Sequence, residues 1–85
     1  MKGKPTATMT EYAKRFSEED SLKGAISRRI LAIQKENRDV ETLPGLIIWL
    51  GPTEYPIANI ESYSLGEQDL RNYWCEYCAA CDHSL

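Results

Sequence analysis

LPGLIIWLGP, residues 43–52, holds a short apolar run between two pairs of turn formers, and its reading decides the fold. The run itself, LIIWL at 46–50, contains β-branched and aromatic members. With Pro-Gly before it and Gly-Pro after it, it is too short for a helix that must stand alone, and the pattern favours a buried strand. GPTEYP (51–56) then reads as a hairpin loop and residues 57–63 as the returning strand. Pro56 removes a backbone donor and the alternation after it is imperfect, which suits an edge strand.

Working outward towards the N-terminus, Leu22, Ile26, Ile30 and Ile33 recur at i, i+4, i+8 and i+11. On a helical wheel they fall within roughly 80° of one another, with Ala25 and Ala32 at the edge. The pattern predicts an amphipathic helix over about 18–37, ending in the polar stretch ENRD, with Pro44-Gly45 blocking continuation. Before it, Thr8 and Glu11 have the spacing of a capping box and predict a short helix through Phe16. Ser17 with Asp20, or Ser21, then caps the longer one. Residues 1–7, MKGKPTA, read as a flexible lead. On the C-terminal side, Ser64 and Glu67 repeat the capping spacing, so a last helix starts near Gly66. On it Leu70, Tyr73, Trp74, Tyr77 and Cys81 share one face.

The expected fold class is therefore α+β, with residues 8–85 as a single small domain. Short and then long N-terminal helices precede a two-stranded antiparallel hairpin or small sheet, on which a C-terminal helix packs. In that arrangement Leu70, Trp74 and Tyr77 lie against Leu22, Ile26, Ile33 and Trp49.

A chain of 85 residues makes one domain, and it buries only about 60–65% of the surface its unfolded form exposes. Ten basic against 13 acidic residues leave a net charge of −3. That balance lacks the basic excess of a nucleic-acid binder and selects no partner by bulk electrostatics. MKGKPTATMTEYAKRF contains no apolar run of signal-peptide or membrane-span type, so the expected location is cytoplasmic and no membrane association is expected. Three cysteines, all near the C-terminus, do not make a disulfide framework in a reducing compartment.

Those cysteines lie in CEYCAACDH, residues 75–83, with the only histidine. As a ligand set, Cys75, Cys78, Cys81 and His83 have the spacing CxxCxxCxH, and zinc does use Cys3His sites. A helix persisting to residue 81 would turn the sulfurs by about 60° and lift them by roughly 4.5 Å at each step, so all three could not easily converge. The same stretch contains Trp74-Cys75-Glu76-Tyr77-Cys78, which resembles the WCxxC site of thioredoxin-like oxidoreductases. The resemblance covers five residues. It implies a nucleophilic cysteine at a helix N-terminus, whereas Cys75 falls in the second half of its helix beside Glu76 and Asp82. The simpler reading makes Cys78 and Cys81 small apolar members of the buried face, with Cys75 turned outward and His83 solvated.

No catalytic constellation emerges elsewhere, so the chain is expected not to be an enzyme and to need no cofactor. Any triad would have to use His83, and the five glycines form no phosphate cradle. Glu18, Glu19 and Asp20 suit the positive end of a helix. Arg28, Lys35 and Arg38 share the outer side of the long helix, with Lys14 and Arg15 before it. Glu36, Asp39 and Glu41 interleave with them, as on a solvated face. Two residues break the helix pattern: Arg29 lies within the apolar stripe, and Leu31 lies about 180° from Leu22. Tyrosine and arginine are enriched at interface centres. Arg28, Arg29, Leu31, Tyr55 and Tyr63 are accordingly the partner-binding candidates, with Tyr12 beside them.

The expected function is a small non-enzymatic regulator or inhibitor that binds another protein, with a homodimer also compatible. Size and general layout are similar to those of small accessory proteins of phages and mobile elements, including host-takeover and anti-defence inhibitors. That resemblance implies the same protein-binding role, and no motif carries it. Two alternatives are a metal-thiolate (zinc) module using Cys75, Cys78, Cys81 and His83, and a nucleic-acid-binding module using the basic side of the long helix.

Overall fold

The computed structural model describes residues 8–36, 38–51 and 65–81. Among them lie four helices and no strand: α1 (Met9–Phe16), α2 (Leu22–Gln34), α3 (Leu43–Leu50) and α4 (Glu67–Cys81). The expected α+β class is thus corrected. LIIWL is helical, and the second strand expected over 57–63, with the loop before it, lies outside the described residues.

The correction has a local cause. Thr42 takes an extended backbone and its Oγ1 accepts the Gly45 N–H at 3.1 Å, as an N-cap. Pro44 then falls in the first helical turn, where its missing N–H has no helical partner to lose. The Pro-Gly pair that reads as a break is a helix start. From Leu43 onward the apolar residues Leu43, Leu46, Ile47 and Leu50 follow i, i+3, i+4, i+7. Leu46 and Leu50 are buried, Leu43 and Ile47 pack against the core, and Ile48 on the outer side is 51% exposed. Eight residues form no stable helix in isolation, so this buried stripe is what holds α3. Gly45 is needed for the approach: a Cβ there would collide with the Asp39 carbonyl oxygen and carboxylate.

The other helices start much as their caps predict. At α1 Thr8 Oγ1 accepts from Glu11 N at 3.2 Å, and Glu11 Oε1 accepts from Thr8 N at 3.0 Å, a complete capping box. Of the two caps expected for α2, Ser21 is used, its Oγ accepting from Gly24 N at 3.2 Å. The helix is shorter than the expected 18–37 at both ends: the α1–α2 turn takes up residues 17–21, and the helix stops at Gln34 with Lys35 as its C-cap. At α4 the Gly66 N–H donates to Asp69 Oδ2 at 3.0 Å; the Ser64 cap lies outside the described residues.

α1 packs on α2, α3 on α4, and α2 also meets α3 and α4. The shared core contains Met9, Tyr12 and Ala13 of α1, Ile26, Ile30 and Ile33 of α2, Leu46 and Leu50 of α3, and Leu70, Tyr73, Tyr77, Cys78 and Cys81 of α4. Tyr12 sits among three rings, edge-on to Phe16 at 4.9 Å and to Tyr73 and Tyr77 at 5.4 Å each, the geometry that aromatic quadrupoles favour. Leu22, expected in the core, is instead 37% exposed at the first position of α2. Trp74 and Trp49 are half-buried against the core edge. The lead at 1–7 lies outside the described residues.

Candidate functional site

Thr10 and Lys14 stand one turn apart on α1, and Leu31, Gln34 and Lys35 face them from the end of α2. With Arg38 they line an open depression of about 630 Å³. Its end is tied by Glu41, whose Oε1 accepts the Met9 N–H at 3.2 Å and whose Oε2 accepts from Gln34 Nε2 at 3.3 Å. One carboxylate therefore joins the start of α1 to the last turn of α2 and sets the distance between the walls. Gln34 Oε1 is buried with no hydrogen-bond partner among the described residues, a cost of about 1–3 kcal/mol.

The chemistry of the depression is mixed. Leu31 is half-buried and packs on the core, so it forms an apolar floor. Around it Lys14, Lys35 and Arg38 are exposed. Lys14 and Lys35 make no ion pair among the described residues, while Arg38 Nε is 3.7 Å from Glu36 Oε1 with both side chains close to half exposed. The Arg38 guanidinium also lies over the Trp49 ring at 4.2 Å, which orients it by cation–π attraction. A second, smaller cleft of about 200 Å³ runs between α2 and α4, where Lys23 and Glu76 pair at 2.9 Å across it.

The sequence candidates separate. Leu31 is in the depression. Arg28 fastens the α1–α2 turn, its guanidinium donating to the carbonyl oxygens of Ser17 and Glu19. Arg29 is half-buried, and its Nε has no partner among the described residues. Tyr12 is a core residue at 2% exposure, which corrects its placement among surface tyrosines. Tyr55 and Tyr63 lie outside the described residues. Thr10 and Gln34 are the lining residues that sequence reasoning missed. Polar residues on two separate helices carry no shared pattern; only Leu31, out of place on its wheel, marks the surface.

The cysteine cluster lies elsewhere. α4 is helical through Cys81, with Cys75 exposed and Cys78 and Cys81 buried. Burial pushes the Cys78 thiol up from its ordinary value, with Cys75 and Cys81 adding to the effect, so the thiolate that a metal needs is disfavoured there. No group of three metal-ligating side chains forms among the described residues, and His83 is not one of them. Among the described residues no helix is long and apolar enough to cross a membrane. Comparison of the chain with protein-family models, curated proteins and solved structures returns no match.

Proposed function

We propose that this chain is a small non-enzymatic regulator that binds another protein through the depression around Leu31. One observation carries the reading: an apolar floor accessible from solvent and ringed by three cations, two of them without an ion pair among the described residues. Such a surface combines the two contributions that protein interfaces use, burial of an anchor at the centre and charge at a polar rim. The rim charges speed encounter and select orientation, while the floor supplies the area. Three cysteines without a disulfide fit a reducing compartment and support the reading of a cytoplasmic protein.

The reading is tested by photo-crosslinking in extracts of cells that produce the chain. A photo-reactive phenylalanine replaces exposed Glu36 beside the depression or, as a control, exposed Glu67 on α4. A discrete protein adduct from position 36, lost when Leu31→Asp is added and not formed from position 67, is the expected result. Equal adducts from both positions, or a nuclease-sensitive product, would overturn it.

A further inference from the structure

We infer that the partner presents an acidic segment with one apolar side chain at its centre, the side chain seated on Leu31 and flanking carboxylates meeting Lys14, Lys35 and Arg38. The inference rests on the proposed function and gives the partner's chemistry. Charge complementarity carries it. The whole chain has a net charge of −3, yet the depression is rimmed by three cations drawn from α1, from the end of α2 and from the segment after it. Three cations gathered on one face make a local positive field that the chain's overall negative charge does not reveal, and that field favours an approaching anion. Leu31 decides which anion. Free phosphate or nucleic-acid backbone would leave the apolar floor bare, and a nucleic-acid tract needs a longer basic path than three residues on one face. A peptide with one apolar residue between acidic ones covers the floor and the rim together. Arg38, held over Trp49, offers a guanidinium fork to a carboxylate, while the two lysines act as mobile point charges.

The experiment measures fluorescence anisotropy of the full chain with the labelled peptide Gly-Ser-Asp-Glu-Leu-Glu-Asp-Ser-Gly. Two matched peptides replace the acids by their amides or the leucine by glycine. The acidic peptide is expected to bind, more weakly as salt rises, and each matched peptide to bind about tenfold less or worse. Lys35→Glu, at an exposed position and with its fold checked by circular dichroism, is expected to weaken binding about fivefold or more. Leu31→Asp should abolish it, and the lysine variant keeps the inference testable if the leucine variant does not fold. Equal binding of the acidic and amide peptides, or no binding of either, overturns the inference; a persistent protein adduct from position 36 would then leave the protein-binding reading standing. Preference for a single-stranded oligonucleotide over the peptide, lost in Lys35→Glu and accompanied by no protein adduct, overturns both.

Discussion

Ser27 Oγ and Tyr73 OH meet at 2.8 Å in the buried contact between α2 and α4. Ser27 also donates to the Lys23 carbonyl at 2.8 Å, so its proton is committed and Tyr73 is the donor between the two. The pair is the buried polar contact between the two helices, beside the more exposed Lys23–Glu76 pair, and it holds the register of α4 on α2. Removing both partners should therefore cost less than the sum of the two single removals. Ser27→Ala leaves a buried phenol unsatisfied and is expected to cost about 1–3 kcal/mol, and Tyr73→Phe about 1 kcal/mol. The double variant should lose less than the sum, as read by urea unfolding of all four proteins. Strict additivity would mean that the bond does not couple the helices.

Alkaline unfolding should begin unusually early. Burial raises the pKa of Tyr12, Tyr73 and Tyr77 above their ordinary 10.0, Tyr77 to about 12. Burial likewise raises Cys78 above 9.0, and hydrogen bonding to Glu76 raises Lys23 above 10.5. In every case the folded state holds its proton longer than the unfolded state. Stability is therefore fully present below the unfolded pKa and falls as pH rises, starting near 9 with Cys78 and steepening above 10. Each buried tyrosine can add up to about 1.4 kcal/mol per pH unit to the slope. Thermal melts followed across this range should show the fall, and Tyr73→Phe should make it shallower. A melting temperature that stays level beyond pH 10 would count against the buried aromatic cluster.

Glycines 24 and 45 should resist replacement, although alanine is the better helix former. A Cβ at Gly24 would collide with the Glu19 carbonyl oxygen, and one at Gly45 with Asp39. Gly24→Ala and Gly45→Ala are each expected to cost more than about 1 kcal/mol. Gly66→Ala should cost less than about 1 kcal/mol, because among the described residues its added carbon would meet only Asp69 Oδ2, at an ordinary contact distance of 3.8 Å. Denaturation midpoints of the three variants decide the ranking.

The helical state of 43–50 is open to direct measurement. Backbone carbon chemical shifts should be helical from Leu43 to Leu50, and Thr42→Ala should cost about 1 kcal/mol by removing the cap. Strand-type shifts at 46–50 would reject α3 and restore a sheet.

Thiol reactivity should follow burial. Cys75 should alkylate quickly in the folded protein, and Cys78 slowly, being both buried and disfavoured as a thiolate. Mass spectrometry of partly alkylated protein gives the order. Rapid labelling of Cys78 would show that α4 is not packed as described.

Much of the helical part of the fold was legible because its signals are local. The capping box at Thr8, the cap at Ser21, the stripe through Ile26, Ile30 and Ile33, and the face from Leu70 to Cys81 each lie within one element, and each element formed. The error at LIIWL arose where local signals were ambiguous. A five-residue apolar run has no polar face from which to read a period, and Pro-Gly punctuates a chain equally well as a stop or as a first turn. Including Thr42 and Leu43 in the window would have supplied both the cap and the i, i+3, i+4, i+7 pattern.

By itself the sequence determined that α1, α2 and α4 are helices, the cap of α1 and most of the faces that α2 and α4 bury, because capping hydrogen bonds and apolar periodicity act within a few residues. Only the tertiary structure decided that residues 43–50 are a helix, since eight residues gain too little from their own hydrogen bonds and depend on a core that receives Leu46 and Leu50. It alone also brought Lys14 of α1 beside Leu31 of α2 and Lys35 at its C-cap, because a site assembled across two helices is set by their packing and leaves no trace in the spacing of either.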